Sequence, residues 1–382
     1  MAIKLKNYEK ELYICAKCGY CRDECTIWKV IGFETVSPRG KILLLKHFLE
    51  QKKEIPSELI NNWYLCCTCG KCADICPLEI DFPELIRTYR IEFAKNMKNI
   101  PEPFLKVTEN ILSTGNPLGR DREDRSDWRP DDLVLNENSE NLFYVGCMAS
   151  YWTMDSAELI CRILNKIQFD FNILDEEPCC GFIETWSGEI DKARELAENF
   201  ARIIQDKGVK TIFTACPGCY STLKHVYPKM NVNLNVEVLH ISELFARLLD
   251  EGKLNFTISI DATITYHDPC HLGRFYGIFD APRRIIRALP GIKFVEMDYN
   301  LKDANCCGGP MRTAYLDLAE KIGKLRAQEA ADTKADHVTT ICPQCLISLR
   351  QSAALLNCDY NVIDLIVLIA KALGIKEADD YL

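Results

Sequence analysis

No stretch of this 382-residue chain is long and apolar enough to cross a bilayer. The longest apolar run, Val362 to Ile375, is broken by Asp364 and Lys371 and falls short of the ~20 residues a spanning helix needs. No long basic tract is present, and a net charge of −9 works against nucleic acid as a partner. No Gly-x-Gly-x-x-Gly fingerprint occurs, so neither flavin nor nicotinamide is expected within the chain. A secretory leader is not evident either. With a surface rich in Lys and Glu, that argues against a secreted disulfide scaffold, which would also be much shorter. We therefore expect a cytoplasmic protein that reaches the inner face of a membrane only through a partner.

What the chain has in excess is cysteine, 21 residues in an otherwise ordinary composition of 48% hydrophobic and 26% charged residues. Clustered cysteines in a reducing compartment read as metal or redox ligands. Two runs stand near the N-terminus: Cys15, Cys18, Cys21, Cys25, and then Cys66, Cys69, Cys72, Cys76 followed by Pro77. This is the bacterial ferredoxin spacing, in which the fourth cysteine of each run serves the other cluster. Cys15, Cys18, Cys21 and Cys76 are therefore expected to hold one [4Fe–4S] cubane, and Cys66, Cys69, Cys72 and Cys25 a second. A pair of zinc sites is the competing reading, but two full four-cysteine runs exceed what a zinc ribbon needs. Thr26 stands where the first run would usually carry proline, a departure that removes no ligand. Gly19 and Gly70 are expected to relieve the tight ligand turns. Helical patterns over Pro38–Leu49 and Pro83–Met97, and no evident sheet, predict a helical two-cluster domain over 1–100. The Pro-, Asn-, Asp- and Arg-rich segment 101–140 reads as a linker wrapped on the surface.

The remaining length carries one pattern twice. Cys147, the pair Cys179-Cys180, and Cys216-Pro-Gly-Cys219 are repeated as Cys270, Cys306-Cys307, and Cys342-Pro-Gln-Cys345, at offsets of 123, 127 and 126 residues. A near-constant offset across five cysteines marks a duplicated domain with a duplicated site, over 141–255 and 256–382. An adjacent cysteine pair strains an ordinary tetrahedral zinc chelate and suits a larger core of several irons. In each half three apolar runs alternate with helical segments: Leu142–Cys147, Phe171–Leu174 and Lys210–Cys216 upstream, Ile264–Cys270, Lys293–Met297 and His337–Cys342 downstream. Such alternation predicts a parallel sheet with covered faces, an α/β fold whose ligands gather at the carboxyl ends of the strands. Pro217 and Pro343 are expected to stop a strand and shape the Cys-x-x-Cys turn.

On these motifs both halves resemble the cysteine-rich Cys-Cys-Gly (CCG) domain of the heterodisulfide reductase superfamily, and the whole chain resembles its D-type subunit. The gaps between first cysteine, pair and closing motif are 31 and 35 residues upstream and 35 and 34 downstream. The contexts Val145-Gly-Cys147 and Tyr266-His-Asp-Pro-Cys-His-Leu-Gly-Arg274 agree as well. The resemblance implies that each five-cysteine set holds a noncubane [4Fe–4S] cluster and that the two clusters together reduce a thiol-derived disulfide, a small-molecule substrate. It implies redox partner subunits, either a membrane cytochrome b-like subunit or a flavoprotein. It also leaves an alternative, an electron-relay subunit of a flavin-linked dehydrogenase of the glycerol-3-phosphate, glycolate or lactate type, or of a membrane redox complex. All ten cysteines favour chemistry at the cluster pair, whereas Ser37-Pro-Arg-Gly-Lys41 resembles the flavin-linked members.

Eighteen of the 21 cysteines fall in these sets. Cys67, Cys161 and Cys358 read as small buried hydrophobes, with an off-by-one ligand choice still open for Cys67. As candidate catalytic groups, His267 and His271 flank Cys270 and could deliver protons to product thiolates or hydrogen-bond cluster sulfurs. The plainer reading is that Asp268 and His267 order the turn. Arg274 is the candidate for pairing with an anionic substrate group, or simply with a neighbouring carboxylate.

Overall fold

A computed structural model describes residues 9–95 and 99–381. Among the described residues seven short strands form two parallel sheets. β1 (Asn141–Phe143), β2 (Thr211–Thr214) and β3 (Glu237–His240) lie in the order 1-2-3. β4 (Ala262–Tyr266), β5 (Ile292–Phe294), β6 (His337–Thr340) and β7 (Asn361–Asp364) lie in the order 5-4-6-7. The helices between them close the crossovers that parallel pairing demands. The long ones, Ile190–Asp206 and Leu316–Ala331, are among the helical segments that alternate with the apolar runs.

The expected second run upstream differs from its downstream counterpart. Lys293 lies within β5, but Phe171–Leu174 makes a single bridge, Leu142 with Asn172, before the chain turns away at Asp175. Each half also gains a closing strand that its sequence pattern did not announce, β3 and β7. Each is only four residues long, too short for periodicity to declare itself.

The halves share one core. The C-terminal apolar run becomes β7 and the helix Leu365–Ala372, which is buried all round except at Lys371, as expected of a core helix. It packs on the upstream helix Met154–Lys166, where Ser156 Oγ donates to Asp364 Oδ2 at 2.7 Å. No described helix is long and apolar enough to span a membrane.

The N-terminal region is helical, with no strand among its described residues. Ser37 caps Pro38–Glu50 by accepting from Gly40 N, and Asp81 caps Phe82–Ala94 by accepting from Glu84 N. The expected extension of the latter helix to Met97 lies outside the described residues. Its own core, built on Trp63, Tyr64 and Tyr89, continues into both halves through Trp186 and Met311. Arg90, fully buried, fastens that seam by donating to the carbonyls of Trp63, Tyr64, Cys66 and Trp186.

Segment 101–140 is more than a surface linker. Glu102–Thr114 is a helix whose buried face is Phe104, Val107, Thr108 and Ile111. That i, i+3, i+4, i+7 spacing was legible, but the surrounding Pro, Asn and Asp masked it.

Candidate functional site

The ligand loops of the N-terminal region turn on Gly19 (φ 97°) and Gly70 (φ 84°), where side chains would be strained. They gather Cys15, Cys18, Cys21 and Cys76 about one small cavity and Cys25, Cys66, Cys69 and Cys72 about another. Cys67 lines the second cavity as well.

In each half the first cysteine follows its strand, and the Cys-x-x-Cys motif opens a helix with proline in its first turn. The two sets meet. Nine of their ten cysteines line one cleft of about 390 Å³ between the halves, with Cys216 close enough for its charge to act on Cys342. Cys306 is the exception. It stands behind the cleft wall, its thiol interacting with those of Cys270 and Cys307 on one side and Cys67 and Cys69 on the other. The downstream set thereby touches the second four-cysteine loop.

These donors suit iron–sulfur clusters. None of the 21 cysteines is tied up in a disulfide. Burial pushes the Cys21 thiol up to about 11, the Cys25 thiol up to about 12, and the Cys147 thiol up strongly. Thiolates there are costly unless a cation offsets them. Backbone N–H groups already point at several sulfurs: Thr68 N at Cys66, Gly308 N at Cys306 and Gly309 N at Cys307, each at 3.4 Å. Cys307 and Cys345 sulfurs stand 3.2 Å apart. A donor set of soft sulfur in groups of four and five fits iron–sulfur cores rather than hard cations. Hydrogen bonding with the Cys306 thiol, reinforced by the charge of Arg274, draws the Cys69 thiol down to about 6 against the effect of burial.

The candidate catalytic residues separate. His271 lines the cleft; its Nδ1 is 3.3 Å from Cys270 Sγ, and its ring stacks on Phe275 and meets Phe182 edge-on. His267 is buried beneath the site, its ring nitrogen within 4.8 Å of the Cys307 and Cys345 sulfurs. Turn-ordering falls to Asp268, which accepts from both terminal nitrogens of Arg283 and from Leu301 N. The expectation that Arg274 meets a substrate is corrected. Its side chain is 3% exposed and does not line the cleft. It donates to the carbonyls of Cys69, Lys302 and Ala304 and pairs with Asp74, docking the downstream half on the second cysteine loop. A charge buried against carbonyls and a carboxylate is already satisfied.

The sequence offered no sign of the cleft's own charges. Lys106 and Arg312 line it, and among the described residues no Asp or Glu does. Arg312 is half-buried and, among the described residues, makes no ion pair and leaves its Nε without a hydrogen-bond partner. Upstream, Glu184 is buried with neither carboxyl oxygen bonded, and burial pushes it up to about 8.

Comparison with known proteins agrees with this architecture. Residues 141–224 and 264–350 match the CCG cysteine-rich domain, and 11–80 match the 4Fe-4S dicluster domain. The chain is 35% identical to the D subunit of the dihydromethanophenazine:CoB–CoM heterodisulfide reductase of Methanosarcina barkeri, over 96% of this chain and 95% of that one. It is 31% identical to the B subunit of the fumarate reductase (CoM/CoB) of Methanothermobacter marburgensis, over 92% of this chain and 70% of that protein. A crystal structure of a hypothetical protein from Helicobacter pylori shares the fold, with a TM-score of 0.61 at 11% identity over 98% of this chain and 77% of the other. With a helical dicluster region leading into two cysteine-rich parallel-sheet domains, the chain belongs to the family of heterodisulfide reductase D-type subunits, iron–sulfur members of oxidoreductase complexes.

Proposed function

We propose that this chain passes electrons through two [4Fe–4S] cubanes to two noncubane [4Fe–4S] clusters, which together reduce a thiol-derived disulfide bearing an acidic group. The observation that carries this reading is the single cleft into which both five-cysteine sets open, with two cations and no acid along it in a protein of net charge −9. Cys15, Cys18, Cys21 and Cys76 would hold the first cubane, and Cys66, Cys69, Cys72 and Cys25 the second. Each five-cysteine set would hold one noncubane cluster. Cleaving the disulfide consumes two electrons and two protons and releases two thiols; the electrons are what clusters held by these cysteines would supply.

The chain's own residues do the rest. Arg312, without an ion pair, and the exposed Lys106 bind the acidic group. Met148, Trp152 and Ile183 give the cleft an apolar wall. His271, held by its two aromatic neighbours, is placed to hand a proton to a departing thiolate. The relatives whose names carry CoM and CoB, one of them as a heterodisulfide, support a substrate of this kind. Electrons would reach the chain from a cytochrome b-like or flavoprotein partner, the former placing it at the inner face of a membrane.

The relay alternative rested on Ser37-Pro-Arg-Gly-Lys41. Those residues also brace the cluster loops, where Arg39 donates to Lys17 O and Lys41 to Leu65 O, and iron content with turnover separates the two readings. Protein assembled without oxygen should hold four clusters, about sixteen irons, and release two thiols per disulfide consumed. About eight irons with both halves folded would refute the noncubane assignment. Clusters that ignore every acidic disulfide, yet are reduced by a flavoprotein with its 2-hydroxyacid or polyol, would establish the relay.

A further inference from the structure

The two five-cysteine sites are built on matching backbones but lie in different surroundings. His267 N donates to Thr339 O on β6 at 2.8 Å, and upstream Tyr144 N donates to Phe213 O on β2 at 2.8 Å. His267 and Tyr144 thus hold the same place, three residues before Cys270 and Cys147. Across from His267 stands Arg326 on Leu316–Ala331, fully buried, its Nε donating to His267 Nδ1 at 3.0 Å. Across from Tyr144, at the corresponding helix position, stands Phe200, ring against ring at 5.2 Å.

The chemistry of the two pairs differs. An arginine has no acceptor and keeps its proton, so His267 Nδ1 is bare and the ring's proton sits on Nε2. The ring lies against Cys307 and Cys345, one nitrogen within 4.8 Å of both sulfurs, and with Nδ1 taken by Arg326 the Nε2–H is the group left for them. Behind Arg326 the chain of donors continues. Glu329 accepts from Arg326 and from Asn305, each at 2.5 Å, and Asn305 Oδ1 accepts from Lys71 Nζ at 2.6 Å. Lys71 also pairs with Glu24, beside Cys25. One guanidinium nitrogen, Nη2, has no acceptor at all. Upstream, the Tyr144 hydroxyl is spent on Pro178 O at 2.6 Å, and the buried charged groups beside that set are Glu177, already paired with Arg125, and the unbonded carboxyl of Glu184.

Hydrogen bonds to cluster sulfurs and nearby positive charge favour the reduced state. We propose that the two five-cysteine centres are electrically inequivalent. The downstream centre holds the higher reduction potential and is the first to take an electron from the second cubane, because His267, fixed by Arg326, directs an N–H at Cys307. This rests on both sets carrying iron–sulfur clusters. His267 is here a positioning and tuning residue, distinct from His271 in the cleft. The contact of Cys306 with Cys67 and Cys69 places the same centre beside the second cubane, so the favoured acceptor is also the adjacent one.

The test is a potentiometric titration of the anaerobically assembled full chain, followed by electron paramagnetic resonance and visible absorption. Cys180→Ala, lacking the upstream centre, identifies which midpoint is downstream. In the unmodified protein two midpoints should be resolved, the downstream one higher. His267→Phe should lower that midpoint towards the upstream value and leave the upstream one in place. His267→Gln, which keeps an N–H near the Nε2 position, should retain most of the gap. Iron content is measured on every sample. Centres that titrate together in the unmodified protein would overturn the inference, as would a His267→Phe protein with full iron and an unchanged gap. Loss of the downstream irons from both His267 variants would make His267 a ligand and equally overturn it. An unmodified protein short of about sixteen irons would instead overturn the four-cluster reading.

Discussion

The upstream and downstream halves deliver five cysteines each from matching strands, yet they depend on different neighbours to do so. Each uses a buried carboxylate and arginine to hold the turn before its first cysteine. Upstream, Glu177 accepts from Val145 N and Gly146 N and pairs with Arg125, which comes from segment 101–140. Downstream, Asp268 is held by Arg283 from the half's own helix Asp280–Ala288. The upstream half is thus completed by the segment before it, while the downstream half is completed by the N-terminal region through Arg274 and Lys71. The caps diverge as well. β3 ends in His240 and β7 in Asp364, each buried and each accepting from the second residue of the helix that follows. Duplication preserved the scaffold and the ligands, and the divergence lies in what surrounds them.

The largest break in this symmetry comes from the ligands. Cys180→Ala and Cys307→Ala should each remove the irons of one half alone and each abolish disulfide turnover, since the remaining centre serves only one sulfur. Iron analysis with steady-state thiol release measures both, and loss of all ten-cysteine irons from either variant would show the halves to be loaded as one unit.

Next come the arginines. Arg125→Ala and Arg283→Ala each strand a buried carboxylate and should cost roughly 3–5 kcal/mol, read from urea unfolding. Only Arg125→Ala should also free segment 101–140 to limited proteolysis. Equal protection of that segment in both variants would deny it a special role upstream.

The caps respond to pH with opposite signs. Burial lowers His240 to about 3 from 6.5, so the fold requires it neutral. Its contribution is whole above pH 6.5 and is lost as the pH falls, ~2 kcal/mol by pH 5. Burial raises Asp364 to about 6 from 3.8, against hydrogen bonds from Ser156 and Ile366 N. It carries a penalty at neutral pH that lifts as the pH falls below 6, a gain of ~1 kcal/mol by pH 5. Asp364→Asn should therefore stabilise at pH 7 more than at pH 5, and His240→Gln should flatten the acid loss. Urea midpoints at the two pH values check both, and the same sign for both would refute the assignment.

The smallest effect belongs to the cleft. Arg312→Gln should raise KM for an acidic disulfide about tenfold, ~1.4 kcal/mol. The exposed Lys106→Gln should raise it only about twofold. Neither should affect a neutral disulfide, and an equal loss for neutral and acidic substrates would remove these cations from recognition.

Ligand spacing is a local property, so the sequence alone determined the two four-cysteine runs, the duplicated five-cysteine sets and the strand-to-helix turns at Pro217 and Pro343. A turn wrapped round a metal core involves only a few neighbouring residues, and an amphipathic helix such as Ile190–Asp206 declares its face every three or four positions. The use made of a long charged side chain is not local. Arg274 sits in the motif beside Cys270, but its partners come from as far away as Cys69, 205 residues earlier in the chain. Arg326 lies on a helix whose pattern says nothing of His267, 59 residues away. The helix Glu102–Thr114 was hidden by composition, and its place along the cleft followed from packing against both halves. Only the tertiary structure decided that nine cysteines share one cleft, that Cys306 stands between its own set and the second four-cysteine loop, and that the duplicated sites differ beneath their cysteines. Those outcomes depend on which distant groups are brought within a few ångströms, and no periodicity along the chain records that.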